Sequence, residues 1–511
     1  MKKEVNQERI NNILWSASEV FRGTVESEKY KDYILALLFV KYLSDTFKEV
    51  KKEIEEKYDD EVLIEKRLNS EKFKLDDEST FEYMFSKRND PEIGSIMNKV
   101  LDKIEELNES NLKGIFGNIN FDSKENLGER KLRNSLLKKL LETFNNDDLD
   151  LSPSRVKNSD VMGNAYEYLI KYFASTAGKK GGEFYTPKEA SCLLAKLVKL
   201  EENDKIYDPT MGSGALSITL AKEVNKFSIY GQEKNGSTFS LARMNMFLNG
   251  IMDAKLAWGD TISDPQFMEK KFDKIAANPP YSLKYWEQGF SSEEFVDEKG
   301  KKISNFKMKP EYDPYRRFDW GVPPSTKGDY AFILHILHCL AENGTAGVVL
   351  PHGVLFRGAQ EGKIRKKIIE SNLIDAVISL PENIFYGTGI PTCIIIFKKN
   401  RKKEDVLFID ASSYYEKVGK KNKLINIDEI VEAYDNRKNV DKFSSVIDLE
   451  KIKENDYNLN IPRYVDTFEE EEIVDLEKNV KKVKEIKDRL KVVENKMDEY
   501  LKELGLEQGG K

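Results

Sequence analysis

Lys205-Ile206-Tyr207-Asp208-Pro209-Thr210-Met211-Gly212-Ser213-Gly214-Ala215 is the stretch on which the fold turns. A short β-rich run ends in an acid, passes through a turn with two glycines, and leads into the apolar, helix-like segment from Leu216 to Glu223. Glycines between a strand end and a helix start let the backbone approach a ligand and direct free N–H groups outward. Further β-rich runs follow at Phe227 to Tyr230, Lys255 to Trp258, Lys274 to Ala277, Gly347 to Leu350, Ala376 to Leu380 and Cys393 to Phe397, with helical texture between them. Such alternation predicts an α/β fold of about seven strands, largely parallel and covered on both faces. Ligands of such sheets sit beyond the carboxyl ends of the strands, so the residues just after each run are the ones to inspect.

On either side of this core the texture is helical. Residues 1 to 160 combine an apolar segment around Ile34 to Leu43 with long Lys/Glu-rich stretches and no strand-like run. Asn145 to Ser159, with Ser152-Pro153-Ser154, reads as a boundary. At the other end Ile473, Leu476, Val480, Val483, Ile486, Leu490, Val493, Met497, Tyr500 and Leu504 recur at steps of three or four, slipping near Ile486. A helix about 30 residues long spans roughly 45 Å and cannot bury such a stripe against itself. It needs a neighbour, either the chain's own helical unit or a coiled coil in another subunit. The expected domains are therefore 1–160, helical; 161–465, the α/β unit; and 466–511, a coiled-coil-like docking helix.

Composition narrows the functional classes. With 511 residues, 40% of them hydrophobic and 33% charged, the chain is globular rather than disordered. The apolar stretch from Tyr33 to Tyr42 falls short of the roughly 20 residues that span a bilayer, and no secretory signal precedes it, so no membrane role and a cytoplasmic location are expected. Lysine and arginine number 82 against 89 acids, a net charge of −7, which argues against strong autonomous binding to nucleic acid but allows a local basic surface or a partner to supply it. Cys192, Cys339 and Cys393 lie far apart, and His335, His338 and His352 form no ligand spacing, so neither a disulfide framework nor a metal site is expected.

The residues after the first strands share a chemistry. Glu233, about 20 residues beyond the glycine loop, suits ribose hydroxyls, and Asp260 after the third run suits an adenine amino group. The loop is not Gly-x-Gly-x-x-Gly, and Asp208 sits badly beside a pyrophosphate but well beside the cationic amino group of an amino-acid cofactor. A P-loop fails for want of Gly-Lys-Ser/Thr. S-adenosyl-L-methionine is thus preferred to a dinucleotide. The most specific signal follows the fourth run, at Asn278-Pro279-Pro280-Tyr281. An exocyclic amine on a base ring is a poor nucleophile because its lone pair is delocalised. The Asn278 side-chain oxygen and the Pro279 carbonyl are placed to accept its two N–H bonds and align it with a methyl group, while Pro279 and Pro280 stiffen the turn and Tyr281 stacks on the base.

This set resembles the amino-group DNA methyltransferases. Gly182-Glu183-Phe184-Tyr185-Thr186-Pro187-Lys188 is similar to the family's additional cofactor segment, and its position ahead of the glycine loop resembles the gamma arrangement of adenine-N6 enzymes. With Leu14-Trp15, Phe21-Arg22-Gly23, Gly328-Asp329-Tyr330-Ala331-Phe332, Leu350-Pro351 and the terminal helix, nearly the whole chain resembles the modification subunit of type I restriction-modification systems. The resemblance implies a Rossmann-like methyltransferase core that methylates the N6 amino group of adenine in DNA. It implies that Glu183, Phe184, Tyr185, Thr186, Pro187, Lys188, Asp208, Gly212, Ser213, Gly214, Glu233 and Asp260 bind the cofactor, and that Asn278, Pro279, Pro280 and Tyr281 act on a flipped adenine. It further implies a separate specificity subunit that reads double-stranded DNA, two modification subunits to each, and a restriction subunit in the full complex.

Between Ser282 and Lys327 lies an insertion whose second half, from Lys299 to Trp320, interleaves cations with rings and includes Arg316 and Arg317. That pattern suits a mobile flap over an extruded base, or an aromatic patch packed on the core. The basic run Glu361 to Lys367 reads as a solvated helix face. Two other functions stay open on sequence alone: methylation of a glutamine amide in protein, which the same Asn-Pro-Pro-Tyr motif suits, and a catalytically silent assembly scaffold.

Overall fold

A computed structural model describes residues 7–156, 160–176, 185–290, 307–466 and 476–504. The strands are β1 (Asp204–Asp208), β2 (Phe227–Glu233), β3 (Lys255–Trp258), β4 (Phe272–Ala277), β5 (Leu340–Pro351), β6 (Ile374–Leu380), β7 (Thr392–Lys398), β8 (Asp405–Asp410), β9 (Tyr415–Val418), β10 (Lys421–Leu424) and β11 (Ser444–Asp448). Nine of them form one sheet in the order β11-β8-β6-β7-β5-β4-β1-β2-β3, and β9 and β10 make a separate antiparallel hairpin. All seven runs read from the sequence are strands. The sheet is wider than expected because Val406 to Ile409 and Ser444 to Asp448 extend it through β8 and β11. Parallel pairing prevails from β3 across to β5, while β7 runs antiparallel between β5 and β6. Every residue of β6 is buried, Asp375 and Ser379 included, as expected of a strand covered on two faces.

From β1 the chain moves outward to β2 and β3, then returns to lay β4 against the other side of β1. The strand order reverses between β1 and β4, and a crevice opens where the crossovers leave in opposite directions.

Residues 1–465 form one compact unit and 466–511 a second. Within the first, the helix Ser27–Lys57 buries every residue from Ile34 to Val40. A helix apolar on all sides must be covered on all sides, and part of its cover is the helix Gly236–Leu248, which starts three residues after Glu233. Phe39 meets Phe247 edge-on at 5.3 Å between ring centroids, and Phe73 lies 5.9 Å from the same ring. Ser237 Oγ donates to Asp32 at 2.7 Å, and Arg243 donates to the Lys113 and Asn111 carbonyls at 2.6 and 3.0 Å. The segment with boundary signals is pinned as well: Leu149 and Leu151 are fully buried, and the Leu151 N–H donates to Asp45 at 2.8 Å.

In the second unit the helix Leu476–Glu503 leaves Val480, Ile486, Leu490, Val493 and Tyr500 each more than half exposed. Ile473, the first position of the predicted stripe, lies outside the described residues. None of the described helices is long and apolar enough to cross a membrane.

Phe247→Ala removes a ring that joins the helical region to the helix packed on the sheet. A cost of about 3–5 kcal/mol is expected, read as a lower midpoint in calorimetric unfolding; an unchanged midpoint would show that this ring does not hold the two regions together.

Candidate active site

Asp208 is the last residue of β1 and is almost fully buried. Its Oδ1 accepts the Thr210 N–H at 3.0 Å, closing a tight turn that sends Met211 to Gly214 across the end of the strand. Gly212 and Gly214 take positive φ values of 54° and 77°, where a side chain would be strained. At Gly214 a Cβ would also stand 3.0 Å from Met246. Glu233, at the end of β2, ties the loops together: its Oε2 accepts the Gly212 N–H at 3.1 Å and its Oε1 the Asn235 N–H at 2.8 Å. Beyond β3, Asp260 Oδ1 accepts the Ile262 N–H at 2.9 Å, and Oδ2 pairs with Lys234 at 2.7 Å. The Asp260 carboxylate thus shapes its own loop.

Asn278 follows β4, the neighbour of β1. Its Nδ2 donates to Thr186 Oγ1 at 3.1 Å, and its Oδ1 accepts from the Tyr281 hydroxyl at 2.8 Å. Burial holds the Tyr281 phenol well above its usual range, so it is a neutral donor. Its ring is braced edge-on by Phe385 at 6.0 Å. Tyr185, Thr186, Asp208, Gly212, Ser213 and Asn278 line one narrow cleft. The structure therefore unites the segment before the sheet, the glycine loop and the Asn-Pro-Pro-Tyr turn, elements up to 93 residues apart, Tyr185 to Asn278. Pro187 caps the helix Lys188–Val198, and Lys188 lines a separate cavity with Glu167 and Cys192 rather than this cleft. Glu183 and Phe184 lie outside the described residues.

Sequence reading missed Thr210, Met211, Ala215 and Leu216 as lining residues, although they stand beside the glycine loop. It also missed a brace on the Asn-Pro-Pro-Tyr turn. Ser282, at φ 52°, donates its N–H to the buried Asp329 at 2.8 Å, and Arg357 donates to the other Asp329 oxygen at 2.5 Å. Asp329 stood in a quoted motif; Arg357 carried no local signal.

The insertion corrects one expectation. Arg317 is fully buried and Phe318 packs in the core against Trp286, so from residue 307 onward the described part is a packed aromatic patch and Arg317 is sealed from DNA. Arg316 is exposed and paired with Asp319. Lys299, Lys301, Lys302 and Phe306 lie outside the described residues. In the run read as a solvated basic face, Arg365 is buried and donates to the Val354, Arg357 and Tyr457 carbonyls. Among the described residues no cluster of three histidine, cysteine or acidic side chains is placed to hold a metal.

A buried carboxyl without a cation is a demand for one. Burial, and secondarily the nearby Glu233, push Asp208 up to about 7, and among the described residues no lysine or arginine pairs with it. The amino group of S-adenosylmethionine fits that vacancy of charge.

Comparison with known proteins settles the class. The profile of the N-6 DNA Methylase family matches residues 157–473, and that of the HsdM N-terminal domain residues 10–144. The chain belongs to the N-6 DNA methylase family. The methylase subunit of the type I restriction enzyme MpnII from Mycoplasma pneumoniae is 30% identical over 99% of this chain and 98% of its own length. That of MjaVIII from Methanocaldococcus jannaschii is 34% identical over 93% of this chain and 81% of its own. The crystal structure of a type I restriction-modification methyltransferase subunit from Streptococcus thermophilus superposes with a TM-score of 0.77, at 35% identity, covering 91% of this chain and all of that one. This N-6 DNA methylase is an adenine-specific DNA methyltransferase of the type I modification class, with S-adenosylmethionine as methyl donor. These relatives lend nothing to the glutamine-methylating or scaffold alternatives.

If the cofactor's ammonium sits against Asp208, whose carboxyl burial pushes up to about 7, cofactor affinity is expected to rise from about pH 6 to between about 7 and 8, then fall as the ammonium loses its own proton. Titration calorimetry across that range checks this, and Asp208→Asn should flatten the slope. A pH-independent affinity for the unaltered methylase would contradict the assignment.

Proposed function

We propose that Asn278, Pro279, Pro280 and Tyr281 receive an adenine turned out of double-stranded DNA, beside a cofactor held by residues 183–187, Asp208, Gly212 to Gly214, Glu233 and Asp260. The observation that supports this most is the Asn278 amide, held from both sides at the end of β4 and lining the same cleft as Asp208. S-adenosylmethionine, when bound, supplies an electrophilic methyl group.

The residues of the chain do the rest. Thr186 accepts from Asn278 Nδ2 and so turns Oδ1 toward the substrate side. Asn278 Oδ1 and the Pro279 carbonyl accept the two amino hydrogens of adenine, which draws the nitrogen lone pair out of conjugation and aims it. Tyr281 now donates to the oxygen that the amino group needs. Its ring exchanges that hydrogen bond for a stack on the base when adenine enters, so Oδ1 is never left without a donor. Pro279 and Pro280 hold the turn rigid, and the bond from Ser282 to Asp329 fixes where it ends.

The methylase carries no large excess of basic residues, which suits a subunit that leaves DNA reading to a specificity subunit, in the ratio of two to one, with a restriction subunit completing the assembly. The exposed stripe on the helix Leu476–Glu503 is a surface of the right length and pattern for a coiled coil of that partner.

Asn278→Ala is expected to lower methyl transfer to adenine-containing DNA at least about a hundredfold while cofactor affinity changes little; a variant of near-normal activity would remove Asn278 from the chemistry. Ile486→Asp with Leu490→Asp should leave the catalytic unit folded and cofactor-competent but abolish co-purification with the specificity subunit. Retained co-purification would assign the docking elsewhere.

A further inference from the structure

We propose that Arg317 is a positioning residue for S-adenosylmethionine, acting through the loop Asp260–Ile262. The proposal rests on the reading of that loop as the place of the cofactor's adenine end. Arg317 comes from the insertion after the catalytic turn, yet all five of its guanidinium hydrogens are used far from that turn in sequence. Nη1 donates to the Thr261 carbonyl at 3.2 Å and Nη2 to the Ile262 carbonyl at 2.6 Å. Nε donates to Asp313 Oδ2 at 3.0 Å and Nη2 to Oδ1 at 2.8 Å. The second Nη1 hydrogen points to His335 Nδ1 at 3.1 Å. Burial, and then the neighbouring Arg317 charge, hold His335 well below its usual range, so its ring is neutral and accepts at Nδ1. Nε2 then faces the Tyr207 hydroxyl at 3.1 Å, on the residue before Asp208.

The consequence is a residue gripped on two sides. Ile262 gives its N–H to Asp260 and its carbonyl to Arg317, so its orientation, and with it the direction of the Asp260 carboxylate, is held by a group rooted in the insertion. Without Arg317 the Thr261 and Ile262 carbonyls point at a buried void of donors, a condition that proteins relieve by turning the peptide. Only a planar fork meets two carbonyls and a carboxylate at once; lysine, a single point of charge, does not. Since the side chains of Arg317 and Asp313 are both 0% exposed, contact of Arg317 with DNA is excluded as its role.

Titration of S-adenosylmethionine into the full-length methylase tests this. Arg317→Lys keeps the charge beside Asp313 but loses the fork, and should weaken binding about tenfold. The double variant Asp313→Leu, Arg317→Met removes the buried ion pair together, which need not cost stability, and should weaken binding to the same degree. In the complex assembled with the specificity subunit and DNA, the KM for the cofactor should rise while kcat at saturating cofactor stays within about twofold. A folded variant of either kind that binds the cofactor as tightly as the parent, or a change confined to the unfolding midpoint or to kcat, overturns the proposal. Asp260→Ala separates it from the reading beneath it: weakened binding there without weakened binding in the Arg317 variants rejects the proposal alone, whereas no effect in any of them rejects the loop as a cofactor site.

Discussion

β1 and β4 lie side by side with their carboxyl ends level, because the chain leaves β1 toward one edge of the sheet and comes back to start the other half. That adjacency puts the buried Asp208 and the Asn278 carboxamide at the ends of neighbouring strands, lining one cleft without either loop having to be long. The helical region contributes by clamping the helix that follows Glu233, which fixes the outer side of the same crevice.

Two buried acids differ in what surrounds them. Burial alone would raise Asp375, yet Lys398, Arg437, the Tyr434 hydroxyl and Arg401 surround it and hold it below its usual range. It cements β6 to the helix Ile427–Asn436. Asp208 accepts a backbone N–H and is raised instead. An acid with cations around it stays ionised, whereas a buried one without them is raised toward its neutral form. Polar groups in the cleft are paired in the same way: Thr186, Asn278 and Tyr281 satisfy one another through a chain of hydrogen bonds.

Much of this was legible along the chain. Asp208 to Gly214, Glu233, Asp260 and Asn278 to Tyr281 each stand directly after a β-rich run, and strand ends are a property of local periodicity and turn chemistry, so their common side of the sheet followed from topology rules. The extra strands β8 and β11 were less visible because they lie beyond the motifs, although Val406-Leu407-Phe408-Ile409 is an apolar run of strand length. The insertion misled most. Cations interleaved with rings read alike whether they face a nucleic acid or pack inward, and the one local clue was the spacing of Asp313 and Arg317, four residues apart and able to pair.

Propensities and spacings within short windows already specify the α/β class, the glycine loop and the Asn278 carboxamide at strand ends, and the amphipathic terminal helix. Packing between distant segments is what binds Thr186 to Asn278, braces the Asn-Pro-Pro-Tyr turn with Asp329 and Arg357, and seals Arg317 and Arg365 inside. Those outcomes depend on which distant segments come within hydrogen-bonding reach, and whether a charge is buried is set by what covers it rather than by its neighbours along the chain.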